Sequence, residues 1–558
     1  MAGAAQPDES DVADDQGRQE IEWQLSAPDL GLVRTWLSDH DSVDGLTIEP
    51  LPGQTILDTY LDTDDWRIRR AGFALRLRDC PGRIEATLKD LAPASDGVRA
   101  RREFSEPLAR ADFEALAVGS GPVSRRVHDV TGPAPLKALF RVRTRRECFA
   151  AVARSGQPAA EIALDDTVVA AADGDPGEHL RRVEVEALSA APQLLAELVD
   201  QLRSECDLTT ATDSKYDVGL KVAGLGPPAT PELGSLTIDP AMSAGDVARA
   251  NLRRQLAIWF LHEPAARLGE DPEALHVLRV SARRIETTLG IFEPYLPRTL
   301  VRQRPAWKSL VRTLGTVRDF DVQLDGLAAF ASDLQGRDAA PLASLRDRLE
   351  VERRVARSRM LSMLDRSSTR RLVHGMSAAL ARPVTARVTA DNPVAATVAP
   401  QLIRRAYRKL RKAARTARAD GTAAAHHALR RRAKRLRYTI ESFDGFYGDD
   451  ARRMLKAVRR LQSSLGSNQD AHVAAGRFQE MVDSRSHKLP SATVFWMGVL
   501  SERHRTIAAE VGQRLERRYA KLRGRRWKSL RRAMTELANT QATGPESPPA
   551  PPTGSARS

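Results

Sequence analysis

Hydrophobic and polar positions change rhythm once along this chain. Up to about residue 222, short runs alternate with period two, as in Ala74-Leu75-Arg76-Leu77-Arg78, Arg83-Ile84-Glu85-Ala86-Thr87-Leu88-Lys89 and Arg182-Val183-Glu184-Val185-Glu186. Such alternation predicts strands with one apolar and one polar face. A Gly- and Pro-rich break, GLGPPATPELGS at 224–235, stops both kinds of regular structure. Beyond it, Ala-, Leu- and Arg-rich stretches such as 395–418 and 423–443 carry helical periodicity with almost no internal Pro. The expected organisation is an α+β multidomain chain: an acidic disordered tail over 1–17, a β domain over 18–222, a linker over 223–242, an all-α domain over 243–537 and a Pro/Ser-rich disordered tail over 538–558.

Residues two apart on a strand share a face. Arg76 with Arg78, Glu85 with Thr87 and Lys89, and Arg101 with Glu103 therefore put charge on one side, and Glu20 with Glu22, Glu161 with Asp165, and Glu184 with Glu186 do the same with acids. One such strand is an ordinary half-solvated sheet. Six or more, carrying complementary acids and bases, can share a lumen. Carboxylates hold hard divalent cations while Arg and Lys hold phosphate oxygens, so a bore lined by both suits a metal-bound triphosphate.

These residues, in their order, resemble the CYTH domain, or triphosphate tunnel metalloenzymes. The opening motif is Glu20-Ile21-Glu22-Trp23-Gln24. YLDTDD at 60–65, GFALRLR at 72–78, ATLK at 86–89, RREF at 101–104, RRECF at 145–149, EIALDD at 161–166, VEVEAL at 183–188 and SKYD at 214–217 follow. The resemblance implies an antiparallel β-barrel tunnel of about eight strands that binds a triphosphate with Mg²⁺ or Mn²⁺. Glu20, Glu22, Glu184 and Glu186 are then the expected metal ligands or water-orienting groups. Arg76, Arg78, Lys89, Arg101, Arg146 and Lys215 are the expected phosphate cradle, with Arg143 and Arg145 leaving the strand parity near Arg146 open. The family's third motif residue is lysine; here it is Gln24, which keeps length and hydrogen bonding but no charge.

The second half repeats itself. His276, Leu278, Arg279, Ala282, Arg283, Arg284 and Phe292 recur 151 residues later as His427, Leu429, Arg430, Ala433, Lys434, Arg435 and Phe443; Leu314, Gly315, Asp319 and Val322 recur at the same offset as Leu465, Gly466, Asp470 and Val473. Two related bundles are expected. His276, Arg279 and Arg283 share one helix face, as do His427, Arg430 and Lys434. Arg404, Arg408, Lys412 and Arg415 stand on a stretch without acids over 401–418, and Lys521 to Arg532 forms a third basic cluster. The duplicated motifs resemble the CHAD domain, which implies a basic channel for inorganic polyphosphate, using His276, Arg279, Arg283, Arg284, His427, Arg430, Lys434 and Arg435, and association with polyphosphate granules. Gln469 for Arg318 and His472 for Asp321 are departures in the second copy.

Charge sharpens this picture. Residues 1–224 carry 26 basic and 40 acidic side chains, and the remainder 60 and 32, so the halves have opposite signs. A half that basic attracts phosphate polymers of any kind. Three widely spaced cysteines, Cys80, Cys148 and Cys206, argue for a reducing compartment; an acidic start and the lack of a long apolar run argue for a cytoplasmic protein without a membrane segment. The leading expectation is polyphosphate binding with metal-dependent hydrolysis of inorganic triphosphate. Its alternatives are a non-catalytic granule protein, a nucleic-acid binder and an enzyme like class IV adenylyl cyclases. Oligomeric state is not legible.

Overall fold

The computed structural model describes residues 17–542 except 44, 92–96, 114, 115, 117, 118, 173, 175, 189–191, 227–234, 333–338, 383–388, 390 and 484–489. The tails expected to be disordered thus lie largely outside the described residues. Two compact units are present, one of residues 1–229 with 261–274, the other of 230–260 with 275–558.

The first unit is built on β1 (Arg18–Ser26), β2 (Ser42–Val43), β3 (Leu46–Thr63), β4 (Phe73–Cys80), β5 (Arg83–Asp90), β6 (Val98–Pro107), β7 (Leu136–Ala153), β8 (Pro158–Ala171), β9 (Pro176–Ala187) and β10 (Thr209–Thr210). The sheet runs β1-β6-β5-β4-β3-β7-β8-β9, and β9 pairs back onto β1, with Gln24 opposite Glu184 and Glu22 opposite Glu186. Every pairing is antiparallel, so eight strands close into a barrel without free edges. The two-residue strands are appendages to it.

In most small barrels apolar side chains fill the interior. Here the alternation is reversed. On β1 the acids Glu20 and Glu22 face inward, while Trp23 and Leu25 face outward, where they join Val33, Trp36 and Leu37 of the helix Leu30–Asp39 and Leu195, Leu198 and Leu202 of the helix Pro192–Glu205. Outside β4, β5 and β6, Leu75, Leu77, Leu88 and Phe104 pack against Val123, Val127 and Val130 of the helix Pro122–Thr131. Fully burying each such side chain contributes about 1.5–3 kcal/mol. The wall is thus held from outside, leaving the bore free for polar groups.

The second unit displays the duplication in backbone geometry. The helices Ala244–Leu268 and Ala395–Asp420 begin 151 residues apart, as do Pro272–Ile291 and Ala423–Glu441. Ser243 bridges Val394, its own counterpart, and around that point Ala244 N donates to Pro393 O at 2.9 Å while Ala395 N donates to Met242 O at 2.8 Å. Farther along, Phe292 meets its counterpart Phe443 with ring centroids 5.5 Å apart, both rings fully buried. Arg284 bonds Glu441 at 3.0 Å, and its counterpart Arg435 bonds the carbonyl of Gly290, the position equivalent to 441, at 2.6 Å. Reciprocal contacts of this kind define a pseudo-two-fold axis between the copies.

The repeated motifs now have a packing reason. A Cβ at Gly315 would lie 3.2 Å from Arg279 Nε, and one at Gly466 would lie 3.3 Å from Arg430 Nη2, so each glycine makes room for the arginine of its own copy. Asp321 accepts from Arg353 Nε at 2.7 Å, tying the helix Arg304–Ser332 to Ala339–Asp365. The side chains of Gln469, Asp470, His472 and Val473 lie outside the described residues. Among the described residues no helix is long and apolar enough to cross a membrane.

The axis contact is testable by mutation. Phe292→Ala and Phe443→Ala should each destabilise the helical unit by about 3–5 kcal/mol. Because the rings touch, the double variant should lose clearly less than the sum of the single losses in chemical denaturation.

Candidate functional site

Strand alternation and closure together bring the barrel's charged residues into one cavity of about 630 Å³, lined by Glu20, Glu22, Gln24, Arg76, Arg78, Lys89, Arg101, Arg146, Glu184, Glu186 and Lys215 among others. Every candidate residue read from the first half of the sequence reaches it. Arg146 points inward, whereas Arg143 and Arg145 are exposed, which settles the strand parity.

Removing an ion from water carries a penalty of several kcal/mol, so the lumen's charges must compensate one another. They do so across strands. Lys89 bonds Glu20 at 2.8 Å and reaches Glu103 at 3.3 Å; Arg101 bonds Glu22. Arg146 forks onto both oxygens of Asp165, each at 2.7 Å, and also onto Glu184 at 2.7 Å. Lys215, at the start of the helix Lys215–Val222, bonds Asp165 and lies 3.1 Å from Glu184. Arg78 makes a fork onto Asp58 at 2.8 and 2.9 Å, and Arg76 lies 3.8 Å from Asp58 and 3.6 Å from Glu103.

Asp58 is a member of this network that sequence reading did not single out, while Glu103 and Asp165, read only as charged strand faces, enter it as the partners of Lys89, Arg76, Arg146 and Lys215. Asp58 could have been found, since it continues backwards the alternation of Tyr60 and Asp62 in the YLDTDD motif on β3. Asp62 serves the backbone instead. Its carboxylate accepts the N–H groups of Thr63, Ile68 and Arg69 at 2.7–2.9 Å and so fixes the turn after β3. Arg69 in turn lies over the Tyr216 ring, 5.4 Å from its centroid.

Burial pushes the Asp58 carboxyl up, but Arg78 and Arg76 outweigh it and hold it at about 2. Glu103 is likewise pushed up by burial and brought down to about 2 by Lys89 and Arg76. Burial also opposes ionisation of Glu184, and Lys215 and Arg146 overcome it, leaving that carboxyl well below its ordinary range. Glu186 behaves oppositely. Burial and the neighbouring Glu20 charge raise it.

That last pair bears on metal binding. Glu20 accepts from Lys89 through Oε1, but its Oε2 is buried without a hydrogen-bond partner, and Glu186, bonded by Arg18 at 2.9 Å, is raised by the neighbouring Glu20 charge. Two neighbouring carboxylates, one with a buried oxygen still unbonded, fit a hard divalent cation. Glu22 and Glu184 are likewise engaged, by Arg101 and by Arg146 with Lys215. Among the described residues no group of three or more His, Cys, Asp or Glu stands ready as a cage. Gln24 Nε2 donates to Glu22 at 3.0 Å and to Glu184 at 3.4 Å, bridging two acids as an ammonium would, while its Oε1 is buried without a partner.

The helical unit has its own cavity, of about 560 Å³, close to the pseudo-two-fold axis. Its basic lining includes Arg283 and its counterpart Lys434, with Arg435, Arg304, Arg405, Lys409 and Arg432; Glu286 and Glu293 are its acids. Like charges here are not matched one for one. Burial and nearby Arg304 push Arg435 down to about 10, and burial with Arg405 and Arg432 lowers Lys409. Of the residues read from sequence, Arg283, Lys434 and Arg435 line this cavity. Arg279 and Arg430 pack beside Gly315 and Gly466, Arg284 pairs with Glu441, and His276 and His427 are half-buried on the same helices. Arg405 and Lys409, rather than Arg404 and Arg408, face the cavity. Helical phase alone did not separate them, because all four lie on an acid-free stretch.

The CYTH domain family model matches residues 37–216 and the CHAD domain family model matches residues 250–479. A Mycobacterium tuberculosis (strain CDC 1551 / Oshkosh) protein described as uncharacterized is 27% identical over 514 residues, covering 85% of this chain and 91% of its own. Among solved structures, the CHAD domain from the plant Ricinus communis is 25% identical with a TM-score of 0.39, over 54% of this chain and 95% of its own. A Hippeastrum protein described as having a dominant triphosphatase activity is 21% identical with a TM-score of 0.28, over 38% of this chain and 98% of its own.

The lumen network should respond to acid. A carboxyl whose folded value is depressed contributes stability that is complete above its ordinary value and lost as pH falls through the folded value. For Asp58, moved from 3.8 to about 2, the window is about pH 4 to 2. Its contribution is about 2 kcal/mol. Asp58→Asn, which leaves Arg76 and Arg78 short of an anion, should cost about 3 kcal/mol at neutral pH and flatten the melting temperature's pH dependence across that window.

Proposed function

We propose that this chain, which carries a CYTH domain followed by a CHAD domain, handles inorganic polyphosphate: the barrel takes short triphosphates with Mg²⁺ or Mn²⁺, and the helical unit holds the long polymer. The observation that carries the barrel reading is the convergence of Arg76, Arg78, Lys89, Arg101, Arg146 and Lys215 on one closed bore together with acids. Phosphate oxygens are strong acceptors for these donors, and several cations around three phosphates disperse the charge that accumulates when a phosphoanhydride is cleaved.

Glu20 and Glu186, with Glu22 and Glu184 beside them, are the residues that would hold the metal. Bound there, it would neutralise phosphate oxygens and polarise the bond to be broken. Within the chain's own chemistry, Arg76 and Arg78 arrive preset by Asp58, so binding does not have to order them. A carboxylate freed from its lysine or arginine partner as phosphate replaces it can orient the attacking water. No covalent nucleophile is needed.

Gln24 supports a second reading, in which the barrel binds triphosphate without efficient turnover. It bridges Glu22 and Glu184 but brings no charge to the developing transition state. Phosphate release from tripolyphosphate with Mg²⁺ or Mn²⁺ separates the two readings. For a catalytic barrel, Glu20→Gln with Glu22→Gln in a folded chain should lower release on the order of a hundredfold or more; unchanged release would remove these residues from the mechanism. Gln24→Lys places an ammonium between the two acids and deletes the buried orphan acceptor, which is worth about 1–3 kcal/mol. It should raise both thermal stability and triphosphate affinity, and calorimetry on the two proteins checks both.

For the helical unit, the predominantly basic lining of the cavity, with Arg283, Lys434, Arg435, Arg405 and Lys409 and only Glu286 and Glu293 as acids, supports polyanion binding. In the full chain, Arg283→Glu with Lys434→Glu should weaken long polyphosphate binding more than Arg525→Glu with Arg531→Glu. Affinity should fall steeply with salt. Duplex DNA at equal phosphate concentration should compete poorly; displacement of polyphosphate by DNA would favour the nucleic-acid alternative.

A further inference from the structure

Two arginines of the barrel wall take no part in the lumen. Arg99 of β6 shares the strand face of Arg101, and Arg182 of β9 that of Glu184, so both side chains start inward, yet neither lines the cavity of about 630 Å³. They flank β1, with Arg99 opposite Glu22 and Arg182 opposite Ser26. Both are buried, 5% and 4% exposed. Arg99 Nη2 donates to the carbonyl of Thr212 at 3.1 Å, and Ala211 N donates to Gln24 O at 2.9 Å, which lays the chain ahead of the helix Lys215–Val222 along the same end of β1.

Neither guanidinium has a counter-charge. Arg101, Arg146 and Lys215 each meet a carboxylate, whereas among the described residues no carboxylate forms an ion pair with Arg99 or Arg182. Arg99 Nε, Arg182 Nε and Arg182 Nη1 are buried without hydrogen-bond partners. Burial holds Arg182 below its ordinary range; Glu184 opposes this, Arg99 adds to it and Asp213 opposes it, so the two arginines and the Thr212–Asp213 segment share one neighbourhood. The two acids are committed elsewhere, Glu184 to Arg146 and Lys215, and Asp213 to Lys221. An arginine stays protonated in such a place. Two buried positive charges with unused donors and no uncommitted acid call for an anion from solution.

We propose that Arg99 and Arg182 together bind one small monovalent inorganic anion, of the chloride and bromide class, at a site separate from the lumen. Size and charge follow from the surroundings. The donors are closed off from solvent and lie outside the lumen's lining, which suits an ion of one atom better than a tetrahedral oxyanion. Stripping water from an ion costs more steeply as its charge grows, and this too favours a halide over a phosphate dianion. Seated there, the anion accepts from both guanidiniums and ties β6 to β9 across β1, next to the segment that carries Lys215.

The full chain, free of metal and phosphate, is crystallised with sodium bromide and measured at the bromine absorption edge. The expected result is an anomalous peak within hydrogen-bonding reach of both Arg99 and Arg182. In solution, replacing isethionate by chloride at a constant ionic strength of about 0.15 M should slow amide exchange in the peptides of β6 and β9 about threefold or more. Arg182→Met should abolish that slowing, whereas Arg283→Met with Lys434→Met, which changes the helical cavity's own cations, should keep it. A peak without chloride-dependent protection means binding at crystal concentration only, and overturns the proposal. So do water alone at the site, a phosphate ion occupying it in soaks with inorganic phosphate, and protection that survives Arg182→Met. The diffraction result needs no variant, so it decides the question even where Arg182→Met fails to fold. None of these outcomes bears on triphosphate binding in the lumen.

Discussion

Charges enclosed in a barrel must be neutralised by one another, and the rest of the first unit follows from that constraint. Acids and bases alternate around the bore so that Glu20, Glu22, Asp165 and Glu184 each meet a lysine or an arginine on a neighbouring strand or on the helix Lys215–Val222. A bore filled with ions supplies no hydrophobic core. The apolar face of every strand therefore points outward, and the helices Leu30–Asp39, Pro122–Thr131 and Pro192–Glu205 are needed to cover it. Only the seat of the helix Lys215–Val222 departs from the charged pattern, where Tyr60, Phe140 and Tyr216 pack inside the wall and join the bore to an ordinary apolar cluster.

The helical unit solves a different electrostatic problem. Its core is conventional, with Phe292, Phe443, Leu278 and Leu429 buried between helices, and its cations gather around an internal two-fold relation. In the barrel, Asp58 and Glu103 titrate low because cations surround them; in the helical cavity, Arg435 and Lys409 are pushed down because burial and other cations surround them. The first environment is nearly self-neutral, whereas the lining of the second carries more bases than acids.

Much of this was legible in the chain itself. Period-two alternation identified β4, β5 and β9, and it assigned Arg76, Arg78, Lys89, Glu184 and Glu186 to one face, because a strand's side chains have only two directions to choose from. The 151-residue offset revealed the duplication before any contact was known, since equivalent helices keep their spacing when a segment is copied. Equivalent helix starts at Ala244 and Ala395 and at Pro272 and Ala423 follow that same offset.

Tertiary structure alone decided what period and spacing leave open. Alternation gives a face but not its partner, so Asp58 as the anion beneath Arg76 and Arg78, and Asp165 as the anion shared by Arg146 and Lys215, required the strand register and closure of β9 onto β1. Near Arg146, three arginines within four residues blurred the period, and only the pairing of β7 with β8 placed Arg146 against Asp165. On the helices, an unbroken run of basic residues carries no phase information, so the separation of Arg405 and Lys409 from Arg404 and Arg408 came from packing against the other copy. The seat of the helix Lys215–Val222 was invisible for the same reason: Gly219 reads as an ordinary helix residue until Phe140, 79 positions earlier in the chain, is brought against it.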